Sequence, residues 1–572
     1  MSTSPLSWDW RTCKVTGLKV DRSAERLIVV NAVTAVLYLA FGGTLALLIA
    51  LTRWPKVHLI SNPEWFYRLV GAHGAAMLIF WILFFEVAGL LFGGSILLSR
   101  RLSAPRMGWL AYVMMLVGSL GVMFAMLSGQ ATVMFTAYPP LVASPLFYGM
   151  MLLYAVGALV AVLHFLVNIV DARLKGQVRT LPLFTFALLV AAILALFTLV
   201  SGTLAILPAF LWRLGVIDHV DPAAYRLLFW GFGHGAQQVN LAAMIGIWYA
   251  LASLTMGAKP INEGLSRFAF VLYVFFIQMG SMHHILVDPG LSTWVRGINA
   301  SYFMYAAVMG SMIHAFTIPA SMEVAARERG VTKGLFGWLR AAPWGTPAFA
   351  ALIISFAMFG ILGGISGVIM GGIQLSLITH NTLIVPAHFH MTVVAGTTLS
   401  FMGMTYILVP LVVRRDLFLP RLARIQPYVF GAGMLLFGIG MGLAGHYGVP
   451  RRHWDITFPS MTQLSGGVFD SPQISWSLGL MAVGAMIAVT AGAMYILVAA
   501  GTVFLGRRSD VPNIGYVDAS SVTPADPNAV SHTPKGFEAP GTMMLATVFL
   551  LLFMLLYAQS WFQLSKVTWI IR

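Results

Sequence analysis

Long apolar segments recur along almost the whole chain, and they constrain its fold more than any other feature. A helix needs about 20 apolar residues to cross a bilayer. Segments of that kind lie at residues 28–52, 67–98, 109–128, 145–170, 182–213, 226–255, 268–287, 301–325, 347–373, 384–413, 427–449, 474–505 and 541–567. Only 9% of the residues are charged, against roughly 25% in soluble domains. The sequence therefore predicts an all-α polytopic membrane protein of about 13 transmembrane helices, with residues 1–572 forming a single integral membrane domain.

Basic residues are divided unevenly between the two sides of this domain. Alternate connecting segments hold 24 Lys and Arg residues, and the others hold 10. Cytoplasmic loops carry the basic excess in membrane proteins. We therefore expect a cytoplasmic N-terminal segment at 1–27, a cytoplasmic loop at 506–540 between spans twelve and thirteen, and a C-terminus outside. The net charge of +15 then follows mostly from topology, and no nucleic-acid partner is expected.

Histidine is the residue type that points to a function. Eight of the 14 histidines fall within or at the ends of the predicted spans, namely His73, His164, His234, His283, His284, His314, His388 and His390. Ionisable groups are costly at that depth and are by default functional. For any single one, a neutral imidazole bonded to a neighbouring helix is an equally good interpretation. Three local patterns argue for treating them as a set.

The first two patterns suit axial ligands of flat cofactors. His388 and His390 are two residues apart, which is about 200° of helical rotation. Their imidazoles therefore leave the helix on nearly opposite sides, and they can serve two cofactors but not one metal. His73 lies among small residues in LVGAHGAAML, so a bulky, flat group can approach the backbone there. It is a candidate second ligand for whatever His390 binds.

The third pattern is the adjacent pair His283-His284 at the end of span seven. Adjacent helical residues are about 100° apart, so two imidazoles can converge on one ion if a facing helix supplies a third ligand. The candidate is His234, in FWGFGHGAQQVN. Three imidazoles without a carboxylate favour copper, and iron remains the alternative.

Seven motifs together resemble the catalytic subunit of the haem–copper oxidase superfamily, in particular its B-family branch, from the first span to the last. They are GAHG around His73, ATVMFTAYPPL around Tyr138, WGFGH ending at His234, the His283-His284 pair with DPG, FGWLRAAPWGTPAFAA, HNTLIVPAHFH ending at His390, and VPRR at Arg451-Arg452. The resemblance implies the haem–copper oxidase subunit I fold. It also implies an oxidoreductase of a prokaryotic cytoplasmic membrane.

The resemblance assigns a role to each candidate ligand. His73 and His390 become the axial ligands of a low-spin haem, expected to be haem b. His388 becomes the proximal ligand of a high-spin haem of b or a type, and the non-haem metal falls to His234, His283 and His284. Arg451, Arg452 and His380 take positions near haem propionates. A plain interfacial anchor is the alternative for the arginine pair.

One residue departs from the oxygen reductases of this superfamily. One helical turn after the first metal-ligand histidine, A- and B-family oxygen reductases place a tyrosine that becomes bonded to a ligand imidazole, and here that residue is Gln238. The other known position, six residues before the histidine pair, holds Ile277. Tyr273 lies ten residues before the pair. The sequence therefore offers neither tyrosine.

The missing phenol affects which substrate the site can reduce, because O₂ and NO require different numbers of electrons. Splitting O₂ takes four electrons, of which the two metals supply three and the phenol supplies the fourth with a proton. An amide has no acidic proton to lend. Reduction of two NO to N₂O and water takes two electrons and two protons, and iron-type nitric oxide reductases place a glutamate at this position. We therefore predict NO reduction, with O₂ reduction by a B-family, proton-pumping cytochrome oxidase as the alternative. A structural helix–helix hydrogen bond is the other interpretation of Gln238.

Proton supply requires a polar line through the apolar core. Ser311, His314 and Thr317 recur every third residue and share one helical face, and Tyr249 can extend that line inward. This resembles the single proton channel of B-family oxidases, although a tyrosine expected one turn before Tyr249 is Ile245 here. Hydroxyls that bond back to their own helix are the alternative, which leaves His314 unexplained.

Electrons have to enter from another chain. The lone Cys13 cannot build a dinuclear copper centre, and no CxxCH motif is present. We therefore expect a subunit II-like partner that carries dinuclear copper or haem c, and cytochrome c or a cupredoxin as donor. The competing class is a redox-silent membrane transporter whose buried histidines relay protons.

Overall fold

The computed structural model describes residues 10–277, 280–458, 468–514 and 539–566, and these residues are mostly helical. The first six long helices are α1 (Arg22–Arg53), α2 (Pro63–Ile96), α3 (Pro105–Leu127), α4 (Pro145–Leu174), α5 (Leu183–Arg213) and α6 (Pro222–Met256). A shorter helix, α7 (Glu263–Leu272), follows. The remaining long helices are α8 (Thr293–Glu328), α9 (Pro347–Met370), α10 (Ile384–Val413), α11 (Pro420–His446), α12 (Pro472–Phe504) and α13 (Pro540–Ser565). Within the described residues, these twelve long helices are apolar enough to cross a membrane, which confirms the predicted polytopic all-α fold.

The seventh predicted span, 268–287, does not form one regular α-helix in the residues that the structure describes. Helix α7 ends at Leu272, a π-helical turn covers Tyr273–Ile277, and a 3₁₀ helix covers Gly280–Ile285. This segment accounts for the difference between thirteen predicted spans and twelve long helices. The adjacent histidines therefore lie on a 3₁₀ turn, not on the regular helix assumed from their spacing.

Several long helices also contain π-helical segments, which often occur at functional sites. They cover Ala76–Phe80 and Phe92–Ile96 in α2, Asn299–Phe303 in α8, Met358–Gly364 in α9 and His390–Thr398 in α10. Short helices cover Gly337–Arg340, Ile373–Thr379 and Val468–Asp470. Near the N-terminus, β1 (Trp10–Thr12) pairs antiparallel with β2 (Lys19–Asp21). Most of the predicted 506–540 loop lies outside the described residues.

Several helices begin at N-cap residues that can be recognised in the sequence. The side chains of Asn62, Ser144 and Asp221 accept hydrogen bonds from backbone N–H groups in the first turn of the helix that follows. A proline comes directly after each of these caps. Proline suits the first helical position because the N–H it lacks would have no partner there.

Burial identifies the helices at the centre of the bundle. In the most apolar window of each helix, 83% of residues are buried in α6, 72% in α10 and 67% in α2, against 11% in α13. Four of the six histidines expected to bind haem or metal lie on these three central helices, namely His73, His234, His388 and His390.

Helices α11 and α12 pack closely through glycine. A Cβ on Gly433 would lie 2.5 Å from the backbone nitrogen of Ala488, and small residues of this kind allow membrane helices to approach.

Candidate metal and cofactor site

Two histidines on α2 and α10 face each other, and we call them the facing pair. The imidazole planes of His73 and His390 are within 10° of parallel, and their ring centroids are 6.5 Å apart. Metal–imidazole bonds are about 2 Å long, so two imidazoles on opposite sides of one ion have centroids roughly 6 Å apart. The geometry of the facing pair therefore fits one metal ion held from both sides.

Backbone carbonyls fix the orientation of both rings in the facing pair. The Nδ1 atom of His73 lies 2.9 Å from the carbonyl oxygen of Gly42, and Nδ1 of His390 lies 2.7 Å from that of Pro386. An Nδ1–H group that donates to a carbonyl fixes the tautomer and leaves Nε2 as the ligand atom. Both Nε2 atoms are therefore available to an axial position.

His388 is directed to a different part of the bundle from His390. Its Nδ1 atom lies 2.9 Å from the carbonyl oxygen of Gly363 and 3.1 Å from the hydroxyl of Ser366, both on α9. A Cβ on Gly367 would lie 2.8 Å from the His388 ring, so glycine is needed for this approach. The predicted separation of the two imidazoles is therefore present, and His388 also has Nε2 free for a ligand.

Three further imidazoles form a compact group, which we call the three-histidine cluster. The ligand atoms of His234, His283 and His284 all lie within 4.8 Å of one another, and Nδ1 of His234 is 3.0 Å from Nε2 of His284. His234 comes from α6, and the adjacent pair comes from the 3₁₀ helix. The donor set suits copper or iron.

An ion pair ties the two parts of the three-histidine cluster together. Arg226, two turns before His234 on α6, donates two hydrogen bonds to the carboxylate of Asp288, one of them 2.7 Å long. Arg296 donates to the backbone oxygen of Asp288 at 2.6 Å. The loop after the histidine pair is therefore anchored to the helix that carries the third ligand.

Gln238 lies against the three-histidine cluster, as the one-turn spacing predicts. Its amide nitrogen is 2.8 Å from Nε2 of His234. Its amide oxygen is buried and has no hydrogen-bond partner among the described residues. An amide therefore contacts the ligand imidazole at the position where the superfamily resemblance places a phenol.

Sequence reasoning missed an aromatic side chain at the same cluster. The indole of Trp230 stacks on the imidazole of His284, with ring centroids 3.9 Å apart and planes within 3° of parallel. The spacing places Trp230 four residues before His234 on the same helical face, but it does not indicate that the indole stacks on His284. The electron count made from the sequence considered tyrosines alone, and the stacked indole corrects it by adding an oxidisable ring to the cluster.

Tyr273, the phenol nearest in sequence to the adjacent histidines, contacts polar residues of α8. It is fully buried, and its hydroxyl lies 3.0 Å from the hydroxyl of Ser311 on α8. Its ring centroid is 5.8 Å from that of His314. The side chain of Ile277 lies outside the described residues. Tyr273 therefore belongs with the polar residues of α8.

The residues predicted to form a proton line meet around one hydroxyl. The Tyr249 oxygen lies 2.6 Å from the hydroxyl of Thr317, 3.0 Å from Nδ1 of His314 and 2.9 Å from the hydroxyl of Ser266. All four residues are buried. Together with Tyr273 and Ser311 they form a group of polar side chains that crosses α6, α7 and α8, which we call the Tyr249 group.

His380 and the arginine pair lie together outside the long helices. The backbone N–H of Arg451 donates to the carbonyl oxygen of Asn381 at 2.9 Å. Burial, together with the neighbouring Arg451 charge, lowers the pKa of His380 to about 4. Burial and the charge of Arg452 lower the pKa of Arg451 to about 10, and burial lowers the pKa of Arg452 as well. The site therefore has a dense positive charge beside a neutral imidazole, which suits carboxylate groups of a ligand.

Comparison with known proteins gives a consistent picture. Residues 26–487 match the family model of cytochrome c and quinol oxidase polypeptide I. Cytochrome c oxidase subunit 1 of Thermus thermophilus is 33% identical over 372 residues, which cover 62% of this chain and 64% of that protein. The matched part is thus less than two thirds of that relative's length. Heme-copper oxidase subunit I+III of Aeropyrum pernix is 26% identical over 467 residues, which cover 76% of this chain and 52% of that protein.

A solved structure of a heme-copper terminal oxidase dimer is similar over nearly the whole chain. The TM-score is 0.80 at 25% sequence identity, and the match covers 94% of this chain and 92% of that chain. The family model covers most of the sequence, including all six candidate haem and metal ligands. The fold, the ligand geometry and these similarities lead to one conclusion: the chain belongs to the family of cytochrome c and quinol oxidase polypeptide I, the haem–copper oxidase subunit I family.

Proposed function

We propose that the chain is the catalytic subunit of a terminal respiratory reductase in a prokaryotic cytoplasmic membrane. His73 and His390 would hold a low-spin haem, His388 a high-spin haem, and the three-histidine cluster a non-haem metal, with copper favoured over iron. When bound, these groups store electrons and bind a small gaseous substrate. Family membership favours this class over a redox-silent transporter.

Nitric oxide is the proposed substrate, and the contact between Gln238 and His234 carries this proposal. Reduction follows 2 NO + 2 e⁻ + 2 H⁺ → N₂O + H₂O, so it needs no electron or proton from a side chain at that position. The amide of Gln238 can hold the ligand imidazole, but it has no acidic proton to transfer. The residue therefore suits a reaction in which protons arrive from elsewhere in the chain.

Oxygen is the second candidate, and two observations favour it. The relatives described above are named as oxidases. The indole of Trp230 against His284 also places an oxidisable ring at the cluster. An indole N–H is a much weaker acid than a phenol, so Trp230 can replace the missing electron more readily than the missing proton. Trp230 is part of the WGFGH motif on which the family resemblance rests, so the indole does not distinguish this chain within the family. The feature that distinguishes this chain is the absent phenol. We therefore keep nitric oxide as the substrate.

The Tyr249 group is the proposed route for protons. Its hydroxyls and the His314 imidazole are linked by contacts of 2.6 to 3.0 Å, which is the range in which a proton can pass along hydrogen bonds. Tyr273 and Ser311 continue the group on the neighbouring helices. Ile245 on α6 has no polar group to contribute to this route, and the hydroxyl of Tyr273 contributes one.

The external side is the proposed site of electron entry. The excess of basic residues in alternate loops favours a cytoplasmic N-terminus and a C-terminus outside. Arg451, Arg452 and His380 would then face haem propionates at the outer surface. A subunit with dinuclear copper or haem c would deliver electrons from cytochrome c or a cupredoxin.

Paired electrode assays test the substrate. The purified complex, with its haems and an artificial donor, is supplied with NO in one cell and O₂ in the other. We expect NO consumption to exceed O₂ consumption, and we expect Gln238→Tyr to shift the ratio toward O₂. Gln237→Tyr, one residue away on the same helix, is the matched control and should leave the ratio unchanged. Rapid O₂ turnover by the unaltered protein with little NO turnover would establish the oxidase alternative.

A further inference from the structure

The two ring nitrogens of His234 have different surroundings. Nδ1 faces the other ligands of the three-histidine cluster and lies 3.0 Å from Nε2 of His284. Nε2 contacts a residue outside the cluster, because it lies 2.8 Å from the amide nitrogen of Gln238. The amide oxygen of Gln238 is the buried atom that lacks a partner among the described residues. Nδ1 is therefore the nitrogen placed to bind a metal.

Metal binding at Nδ1 determines what Nε2 must do. A neutral imidazole has one lone pair and one N–H group, so a ring that binds through Nδ1 carries its proton on Nε2. An amide nitrogen is also a donor, and two donors would then oppose each other across 2.8 Å. Turning the Gln238 amide by half a revolution exchanges its two terminal atoms with little movement. The oxygen without a partner then accepts from Nε2–H of His234.

The neighbouring ligand is held by a different kind of partner. Nδ1 of His283 contacts the backbone oxygen of Gly280, so its orientation depends on the fold and not on a particular side chain. For His234 the corresponding acceptor is the Gln238 side chain, which can be removed by substitution. The role of Gln238 can therefore be tested separately from the role of the backbone.

We propose that Gln238 is a positioning residue for the non-haem metal: its amide oxygen accepts a hydrogen bond from Nε2–H of His234 and so keeps Nδ1 free to bind the metal. The acceptor fixes both the tautomer and the angle of the ring. This role is the same whether the complex reduces NO or O₂, and so it stands or falls separately from the proposed substrate.

Metal retention by the haem-loaded complex tests the proposal. Gln238→Leu removes the acceptor at similar volume, Gln238→Glu retains an acceptor, and Gln237→Leu is the control on the same helix. Each variant is dialysed against increasing chelator, and bound copper and iron are then measured per chain. We expect Gln238→Leu to lose the non-haem metal at about 10- to 100-fold lower chelator concentration, and the other two to behave like the unaltered protein. Visible haem spectra report folding, and Gln238→Met replaces Gln238→Leu if the latter lacks haem.

A spectroscopic measurement separates positioning from general packing. Vibrational spectra of protein labelled with ¹⁵N-histidine distinguish imidazoles that bind through Nδ1 from those that bind through Nε2. We expect one Nδ1-bound imidazole in the unaltered protein and in Gln238→Glu, and loss of that signal in Gln238→Leu. Unchanged metal retention in Gln238→Leu, equal loss in Gln237→Leu, or binding through Nε2 in the unaltered protein would each overturn the proposal.

Discussion

The facing pair and the three-histidine cluster use the same side chain, but the surrounding chain holds them differently. Both rings of the facing pair donate Nδ1–H to backbone carbonyls within a bundle of long helices. The cluster joins a helix to a 3₁₀ turn. The side chains of Gln238 and Trp230 contact it, and Arg226 anchors the loop that follows it. The first arrangement depends on the fold alone, whereas the second can change with one substitution. Differences in substrate within this fold are therefore expected at the cluster.

The largest effect should come from breaking the facing pair. In His73→Leu one of the two axial imidazoles is lost, so the low-spin haem signature should disappear while the cluster keeps its metal. We expect turnover to fall by more than about 100-fold, since even outer partners of a metal ligand contribute 10- to 100-fold. Visible spectra and metal analysis measure both regions. His446→Leu, at the end of α11, is the control, and a retained low-spin spectrum in His73→Leu would contradict the assignment.

A second change leaves both metal-binding regions intact and removes proton supply to one of them. Tyr249→Phe deletes the hydroxyl at the centre of the Tyr249 group. Positioned proton transfer contributes about 100-fold or more to rate, so we expect turnover to fall roughly 100-fold with unchanged haem spectra and metal content. Tyr495→Phe deletes another buried hydroxyl, on α12, which bonds to Thr405. Equal turnover rates in Tyr249→Phe and Tyr495→Phe would show that the Tyr249 group is not part of the proton route.

A third change loosens the cluster without touching the facing pair. Arg226→Ala leaves the carboxylate of Asp288, 18% exposed, without its bidentate partner. We expect a loss of about 1–3 kcal/mol in unfolding free energy and weaker retention of the non-haem metal. Arg267→Ala removes a different ion pair, with Glu263, together with a hydrogen bond to the carbonyl oxygen of Leu181, so it is a control for lost stability and should leave the non-haem metal in place. Thermal unfolding and metal content measure both variants, and equal metal retention would show that the ion pair does not support the cluster.

The smallest expected effect concerns pH and lies outside both regions. The pKa of His380 is lowered from 6.5 to about 4 in the folded chain, so the unfolded chain binds more protons between these values. Stability should therefore be full above pH 6.5 and decline as the pH falls toward 4. His380→Leu should reduce that decline in melting temperature, and His219→Leu, at an exposed position, should not. An identical pH profile in His380→Leu would rule out this contribution.

Spacing alone was sufficient for two local relations in the site, although one of them ends at His390, the first residue of a π-helical segment. The separation of His388 from His390 follows from helical rotation, and the contact of Gln238 with His234 follows from one turn. The meeting of Tyr249 with His314 and Thr317 joins two helices that are far apart in sequence, and it required the family resemblance as well as periodicity.

Spacing was insufficient where the backbone leaves the regular helix or where a ring stacks across elements. The segment that carries His283 and His284 is a 3₁₀ helix and not an α-helix, and hydropathy does not detect such a change. The stacking of Trp230 on His284 depends on how that turn packs against α6. The hydroxyl contact between Tyr273 and Ser311 likewise depends on the π-helical turn at Tyr273–Ile277.

The central claim is that an amide in place of a phenol at the three-histidine cluster suits the chain to nitric oxide. Mass spectrometry of products from ¹⁵N-labelled NO, with the reduced donor counted in the same reaction, tests it most directly. We predict one labelled N₂O for every two NO and every two electrons, at a rate above that of O₂ consumption under the same donor. Absence of labelled N₂O, together with four electrons consumed per O₂, would contradict the claim.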